Sequence, residues 1–408
     1  MKKRYCPEQV LQHKTHRKEK YIEKIFLYSL ITSIVVSAFA GIMGLSAQAA
    51  PVSVPREKTV VGYYTSWASA KGYTPLHVQA KKLTHLNYAF AGIDPTANSI
   101  ALTNPQRDLK NFEQLRSLKA ANPGLKTLIS VGGWDDSVYF SAVAATEESR
   151  NSFAESCRAF LVAHGFDGVD LDWEYPVSGG KAGNQSSPGD TGNFTLLLSA
   201  IRQKLNEQSL IDGRQYYLTI AGAANPNYLR KIEAGRVAEL VDHIVIMTYD
   251  MHGPWDSRSD FGAPLYSPSE YSPQYKNSVF EGISAYLNAG IPAGKLVLGI
   301  PFYGYLYEGV SETNNGRYST FSSARAVAYD AVKNSYLNRP GFQSFYHEEA
   351  VVPYLYGNAA FLSYEDTRSV GAKAMLARNL GLAGAGIWEL SQDTGGELLE
   401  SVYTGVNG

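Results

Sequence analysis

Apolar segments rich in β-branched and aromatic residues alternate with helical segments along most of the chain. Eight of the apolar segments have the length of buried strands: residues 60–67, 83–93, 126–134, 168–175, 217–224, 243–250, 296–303 and 384–390. Between them, apolar side chains recur at helical spacing over residues 106–121, 149–164, 192–208 and 279–289. Because parallel strands need crossover connections, this alternation predicts an α/β fold, a closed (β/α)8 TIM barrel.

One interval between predicted strands is too long for an ordinary barrel loop. From about residue 305 to 361 the alternation gives way to a polar, Tyr-rich stretch that contains the turn signal Asn314-Asn315-Gly316. We therefore expect a small α+β insertion after the seventh strand, with a helix over residues 369–380 resuming the barrel. The sequence has no Pro/Ser/Thr-rich linker to a second module, so residues 50–408 are expected to form one barrel domain.

The N-terminal region has the pattern of an export signal. Residues 1–24 are basic, residues 25–45 are apolar, and the Ala47-Gln48-Ala49 tract that follows is a small-x-small cleavage site. We predict a signal peptide over residues 1–49 and a secreted protein, extracellular or periplasmic. The apolar run is also long enough to span a bilayer, so an uncleaved anchor is the alternative. If the signal is cleaved, we expect no stable membrane association.

Charge and cysteine content narrow the possible partners. After residue 49 the chain keeps 29 of its 37 Lys and Arg residues and 35 of its 38 Asp and Glu residues. This mildly acidic balance argues against nucleic acid as a partner. Cys157 is the single cysteine left after residue 49, which rules out an intramolecular disulfide and leaves stability to the core. We expect a monomer.

Three carboxylates occupy alternate positions of the fourth predicted strand. Asp170, Asp172 and Glu174 stand at i, i+2 and i+4, so they project from one face. Burying polar groups without partners costs roughly 2–7 kcal/mol each, which favours an active site. A water-facing edge strand is the first alternative, but the residues between the carboxylates are apolar. A Mg²⁺ or Ca²⁺ site is the second, although no loop of calcium-binding spacing accompanies the strand. Asp167 breaks the alternation and is expected to be structural.

Aromatic side chains stand where several predicted strands end, which is the end of a barrel that carries active sites. They are Tyr63, Tyr64, Trp67, Trp134, Tyr175, Tyr249 and Trp388. Because sugar rings have apolar faces and polar edges, Trp and Tyr beside a few carboxylates favour an oligosaccharide cleft.

Cleavage of a glycosidic bond needs a protonated carboxyl near the leaving oxygen. Glu174 lies nearest the strand end and is the best-placed acid. Asp172 and Asp170 are like charges in a confined space, so they are expected to share a proton, which raises one apparent pKa. From the residues alone, Asp250 remains open as a covalent nucleophile, since it also stands at a strand end.

Several motifs occur in order across nearly the whole chain after residue 49. They are Asp-x-x-Asp-x-Asp-x-Glu at 167–174, Ser-x-Gly-Gly at 130–133, Met-Thr-Tyr-Asp at 247–250, Gly-Ile-Pro-Phe-Tyr-Gly at 299–304, and Trp388. With these motifs the chain resembles the family 18 glycoside hydrolases of the chitinase type. Residues 348–354 and 363–366 are similar to the segment that brackets the end of the family's insertion.

The resemblance implies a mechanism that the composition does not contain. It implies hydrolysis of β-1,4 links in chitin or chitooligosaccharides with retention, in which the substrate's own acetamido oxygen attacks the anomeric carbon, without cofactor or metal. Glu174 would protonate the leaving oxygen and later activate water. Asp172 would orient the acetamido nitrogen, and Asp170 would tune Asp172. Tyr249 and Asp250 would contact the acetamido group and the distorted sugar.

The resemblance also implies binding or supporting roles for a further set of residues. They are Tyr63, Tyr88, Ser130, Gly133, Trp134, Met247, Trp255, Tyr303 and Trp388. In this set Trp388 would form the floor under the distorted sugar, and Trp134 and Trp255 would stack on the leaving-side sugars. Tyr63 and Ser130 would support the buried aspartates.

The chain departs from the family pattern at one position. Many relatives have Arg after Tyr-Gly on the seventh strand, where this chain has Tyr305, so a contact made by the guanidinium fork is lost. Two other functions remain open: a chitin-binding lectin of the same fold, and an endo-β-N-acetylglucosaminidase acting on N-glycans or peptidoglycan. The acid at Glu174 argues against the lectin, because function follows the site rather than the fold.

Overall fold

The computed structural model describes residues 58–270 and 276–408. The expected signal peptide, residues 1–49, lies outside the described residues. Within the described ranges, none of the helices combines the length and apolar character needed to cross a bilayer.

Within the described residues, eight parallel strands close into a barrel. In their order around the barrel they are β1 (Thr59–Thr65), β2 (His85–Asp94), β4 (Lys126–Gly132), β5 (Gly168–Asp172), β6 (Tyr217–Ala223), β7 (His243–Met247), β8 (Leu296–Pro301) and β14 (Gly384–Trp388). Pairing of β1 with both β14 and β2 closes the ring. β3 (Ser99–Leu102) pairs antiparallel with the end of β2. The predicted (β/α)8 barrel is confirmed.

Helices surround the barrel and cover its outer face. They are α1 (Pro105–Ala121), α2 (Gly133–Asp136), α3 (Phe140–Ala145), α4 (Glu147–His164), α5 (Asp190–Asp212), α6 (Pro226–Leu229), α7 (Ala234–Leu240), α8 (Val279–Asn288), α9 (Tyr329–Ser335), α10 (Thr367–Asn379) and α11 (Glu397–Asn407). Outward residues of the strands pack against these helices, as Val169 and Leu171 of β5 do in the main core. Inside the barrel, Val61, Val245 and Val297 form a smaller apolar cluster. This two-sided burial explains why the strands are apolar on both faces.

A second sheet stands between β8 and β14. It contains β9 (Tyr303–Glu308), β10 (Ser323–Ala328), β11 (Gln343–His347), β12 (Val352–Gly357) and β13 (Ala360–Ser363). These strands pair antiparallel in the order β10-β9-β13-β12-β11, and α9 lies between β10 and β11 in the chain. Residues 303–363 thus form an α+β unit where the sequence predicts an insertion over 305–361. β9 begins two residues after the end of β8, which brings its tyrosines to the rim of the barrel.

Candidate active site

A cleft of about 720 Å³ opens at the carboxyl ends of the barrel strands. Eight of the residues predicted for the site line it: Trp134, Asp172, Glu174, Met247, Tyr249, Asp250, Trp255 and Trp388. Tyr63, Ser130 and Asp170 lie beneath the cleft inside the barrel, where strand alternation directs them. The fold therefore brings together residues from five barrel strands and the loops that follow them.

Asp170 is fully buried and its oxygens are occupied. Oδ2 accepts hydrogen bonds from the hydroxyls of Ser130 (2.8 Å) and Tyr63 (3.1 Å), and Oδ1 accepts one from Thr219 (2.6 Å). Burial raises the pKa of Asp170, and these hydroxyls oppose the rise. The sequence does not predict the role of Thr219, because a threonine on an inward position of β6 carries no catalytic signature.

Asp172 differs from Asp170 in its bonding, although it stands two residues along the same face of β5. It is 4% exposed and lines the cleft. Its Oδ1 has no hydrogen-bond partner among the described residues. Burial raises the pKa of Asp172 well above 3.8, and the charges of Glu174 and Asp170 raise it further. Asp172 therefore combines a position in the cleft lining with a buried carboxylate oxygen that lacks a donor, which is rare for a buried polar atom.

Glu174 stands beyond the end of β5, at the floor of the cleft, and is 9% exposed. Burial is the main cause that raises the pKa of its carboxyl from 4.5 to about 7, while a hydrogen bond with Tyr175 lowers it. The backbone of Glu174 is held on both sides. Its N–H donates to Ser137 Oγ (2.9 Å), and its carbonyl accepts from Asn184 Nδ2 (2.9 Å). A carboxyl with this pKa carries a proton near neutral pH, as a general acid requires.

Asp250 follows β7 in the left-handed backbone region, at φ 57°, which turns the chain at the cleft wall. Its Oδ1 accepts hydrogen bonds from the hydroxyls of Tyr303 and Tyr305, the latter at 2.7 Å. Burial raises the pKa of Asp250 and the two phenols oppose it. Tyr305, which replaces the family's usual Arg, therefore bonds to a residue of the cleft wall. The neighbouring Tyr249 hydroxyl has a pKa well above 10, chiefly because of burial.

Aromatic rings form the floor and the rim of the cleft. Trp388 stacks on Phe90 at 5.5 Å between ring centroids and meets Tyr63 edge-on at 5.5 Å. Trp134 and Trp255 are 51% and 60% exposed at the rim. Phe90 was missed as a site residue, because a register shift between Ala89 and Ala91 changes which side chains of β2 reach the cleft.

Gly133 makes room for this floor rather than lining the cleft. It has a φ of 76°, and a Cβ at this position would lie 2.6 Å from the ring of Phe90. A side chain here would displace the ring beneath Trp388, so glycine is required.

The structure corrects the prediction that Tyr88 binds substrate. Its side chain points to the outer face of β2, opposite to its inward neighbours. There the hydroxyl donates to Asp108 (2.8 Å) and accepts from Asn111 (2.9 Å). Asn111 in turn donates to the carbonyl of Ser66, next to Trp67 on the cleft wall. Tyr88 thus supports a loop of the cleft from behind and does not reach the cleft.

Asp167 has a structural environment. It precedes β5, pairs with Lys119 and Arg214 at 2.7 Å each, and accepts a hydrogen bond from the N–H of Thr127. Across residues 58–270 and 276–408, no group of three or more His, Cys, Asp or Glu side chains is arranged to hold a metal ion.

Comparison with known families matches residues 59–393 to Glycosyl hydrolases family 18. Chitinase A1 of Niallia circulans is 39% identical over 439 aligned positions, which cover 93% of this chain and 62% of that protein. Chitinase B of Serratia marcescens is 31% identical, with 79% of this chain and 76% of that protein covered. The chain therefore spans less than two thirds of the length of the first of these relatives.

Solved structures with the same fold include the following two. The chitinase ChiA74 from Bacillus thuringiensis superposes with a TM-score of 0.82 at 35% identity, covering 86% of this chain and 70% of that one. A family 18 N-acetylglucosaminidase from Paenibacillus barengoltzii gives a TM-score of 0.78 at 35% identity, covering 85% of this chain and 99% of that one. These similarities confirm the barrel fold and the resemblance drawn from the motifs.

Proposed function

The chain belongs to glycosyl hydrolase family 18, and we propose that it hydrolyses β-1,4 links between N-acetylglucosamine units of chitin and chitooligosaccharides. One observation carries this proposal: Asp172 keeps a buried, unpartnered oxygen beside the proton-bearing Glu174, under a cleft lined by tryptophans. An acetamido N–H is the donor that such an oxygen lacks, and apolar sugar faces match the tryptophan rings.

The first step cleaves the glycosidic bond. Glu174 gives its proton to the leaving oxygen as the bond to the anomeric carbon breaks, and the acetamido carbonyl oxygen of the same sugar attacks that carbon. A cyclic oxazolinium ion forms, with positive charge shared by its nitrogen. Asp172 accepts the N–H of this ion and stabilises its charge, while Asp170, held by three hydroxyls, keeps a like charge beneath it.

The second step releases the product with retained configuration. Glu174, now ionised, takes a proton from water as the water oxygen attacks the anomeric carbon and the ring of the oxazolinium ion opens. Trp388 carries the distorted sugar, and Tyr249 and Asp250 contact it from the cleft wall. Trp134 and Trp255, on the rim, stack on leaving-side sugars.

The mechanism requires an acetamido group on the substrate, so substrates with and without this group separate it from the alternatives. Purified chain is incubated with chitohexaose and with its fully N-deacetylated counterpart, and the anomeric configuration of the first product is followed by proton NMR. We expect cleavage of the acetylated oligomer alone, with β product formed first. Equal cleavage of both oligomers would reject acetamido assistance. Binding of chitohexaose without cleavage would favour the lectin, and cleavage restricted to glycoprotein glycans or peptidoglycan would favour the other hydrolase.

We also propose that the protein is exported, because the apolar run over residues 25–45 precedes a small-x-small site. N-terminal sequencing of protein from the culture medium or periplasm is expected to begin at Ala50. Full-length chain in the membrane fraction would instead support the uncleaved anchor.

A further inference from the structure

Ser137 connects two segments that meet at the catalytic strand end. It directly follows α2 and is fully buried. Its hydroxyl lies 2.7 Å from the carbonyl oxygen of Gly133 and 3.0 Å from that of Asp172, and its oxygen accepts the N–H of Glu174 at 2.9 Å. One hydroxyl proton is shared between two carbonyls. The side chain of Ser137 therefore bonds to the backbone of α2 at Gly133 and to the backbone of the catalytic segment at Asp172 and Glu174.

The same short helix carries an aromatic group of the cleft rim. Trp134 lies between Gly133 and Ser137 and is half exposed. A sugar ring that stacks on Trp134 therefore contacts a helix whose other end is bonded to the acid. Trp134 and Ser137 are three residues apart along this short helix, and the hydroxyl of Ser137 bonds back to the carbonyl of Gly133. This bond limits the bending of the helix between the two side chains.

The loop after Glu174 adds bonds to the same segment. Lys181 pairs with Asp135 at 2.7 Å, the N–H of Gln185 donates to the carbonyl of Val138 at 3.1 Å, and Asn184 donates to the carbonyl of Glu174. Within the described residues, the segments 133–138 and 172–185 thus form one hydrogen-bonded unit, which we term the rim unit.

We propose that Ser137 is a positioning residue that couples sugar binding at Trp134 to the placement of Glu174. The inference rests on the proposed function and extends it. A leaving-side sugar that stacks on Trp134 restricts the motion of the rim unit. Because Ser137 bonds to the N–H of Glu174, the position of the Glu174 backbone is then restricted as well. Part of the binding energy of leaving-side sugars then raises kcat instead of only lowering KM. Without the hydroxyl, the sugar still binds Trp134, but the acid is no longer held by the occupied rim.

The test compares substrates with and without leaving-side sugars. The measured quantity is the ratio of kcat for chitohexaose to kcat for an aryl glycoside of chitobiose, which has no sugar on the leaving side. We expect Ser137→Ala to lower this ratio about tenfold, since small misplacements of a catalytic group cost up to about a hundredfold in rate. Trp134→Ala is expected to lower the ratio in the native background and to lower it much less in the Ser137→Ala background, where the bonds of Lys181, Asn184 and Gln185 are the remaining links between the rim and Glu174.

Ser259→Ala is the matched control. Ser259 is also fully buried, its hydroxyl reaches the carbonyls of Gly316 and Ser319, and it accepts the N–H of Ser319, all away from β5. Ser259→Ala removes the same kinds of hydrogen bond as Ser137→Ala, so both variants are expected to lower the unfolding midpoint by a similar amount. Ser259→Ala is expected to keep the native ratio of the two kcat values. Should Ser137→Ala fail to fold, Ser137→Cys, with its weaker S–H donor, serves as the milder variant and is expected to lower the ratio less.

Two results would overturn the inference while leaving the proposed function in place. One is a ratio for Ser137→Ala equal to that of Ser259→Ala. The other is an equal effect of Trp134→Ala on the ratio in both backgrounds. Failure of the native chain to cleave chitohexaose would instead remove the proposed function itself.

Discussion

The two ends of the barrel interior both bury titratable side chains, and they do so in different ways. At the carboxyl ends of the strands, Asp172 and Glu174 face a cleft, and one oxygen of Asp172 has no partner among the described residues. At the amino ends, His85 and His243 pack edge to face at 5.2 Å between ring centroids, and His85 meets Tyr217 in the same manner at 5.3 Å.

Burial opposes the charged form at both ends, so it moves pKa values in opposite directions for acids and bases. It raises the pKa of Glu174 to about 7 and lowers the pKa of His243 well below 6.5. Burial of the His243 ring favours its neutral form, in edge-to-face contact with His85. Burial of the carboxyl groups of Asp172 and Glu174 favours their protonated form, and both groups line an open cleft. A buried titratable group therefore indicates chemistry only where it faces a space that substrate can enter.

The largest effect is expected at the cleft end. Glu174→Gln removes the transferable proton and should lower kcat on chitohexaose by about 10²–10⁴-fold, the usual contribution of general acid–base catalysis. Because the folded-state pKa of Glu174 lies above 4.5, the native chain loses stability as pH rises from 4.5 through 7. The variant is therefore expected to unfold at no lower temperature than the native chain at pH 8, as measured by circular dichroism. A kcat within tenfold of native would contradict the assignment of the acid.

A smaller effect is expected at the cleft wall. Tyr305→Phe removes one of two phenols that bond to Asp250. We expect kcat/KM to fall about tenfold, because a hydrogen bond to a charged group contributes about 1.5–3 kcal/mol and Tyr303 keeps the second bond. Tyr307→Phe is the control, since Tyr307 is two residues further along β9 and its buried hydroxyl makes no hydrogen bond to Asp250. Equal losses in both variants would show that the Asp250 contact is not responsible.

The opposite end is expected to influence stability and not catalysis. His243 has a pKa below its unfolded value of 6.5, so the unfolded chain binds the extra proton and stability falls as pH drops below 6.5. His85 and Lys295 act on it in the same direction. His243→Phe should reduce this dependence by as much as about 1.4 kcal/mol per pH unit. Urea unfolding at pH 7.5 and 5.5 measures it, and an unchanged pH slope in the variant would exclude His243 as its source.

The smallest effect is expected outside the barrel. Tyr88→Phe removes hydrogen bonds to Asp108 and Asn111 and should lower the free energy of unfolding by about 1–2 kcal/mol. Since Tyr88 supports the Trp67 loop only from behind, kcat on chitohexaose should stay within about twofold. If Tyr88→Phe lost most of its kcat while its free energy of unfolding stayed native, Tyr88 would have to contact substrate as the sequence predicted.

Local pattern was sufficient for most of the fold. Every predicted barrel strand is present in the structure, and every strand except β2 ends earlier than predicted, so that Trp67, Trp134 and Tyr175 lie in the segments that follow. The insertion was visible as an interval too long for a barrel loop. Side-chain alternation over a few residues also placed Asp170 and Asp172 on one face, because a strand repeats every two residues regardless of its neighbours.

Contacts between distant segments were not visible in the sequence. The predicted contact of Tyr88 with substrate was wrong, because the resemblance does not say which face of β2 meets the barrel interior. The hydrogen bond from the Tyr305 hydroxyl to Asp250 and the one from the N–H of Glu174 to Ser137 join residues 55 and 37 positions apart. They depend on strand order, register and loop path.

Local periodicity and motifs were enough to predict the eight strands, the position of the insertion and the shared face of Asp170 and Asp172. The folded barrel was needed to show which oxygen of Asp172 lacks a partner, which hydroxyls bond to Asp170, and which serine bonds to the backbone of Glu174. Hydrogen bonds act over about 3 Å, and closing such distances between remote segments requires the whole barrel to form.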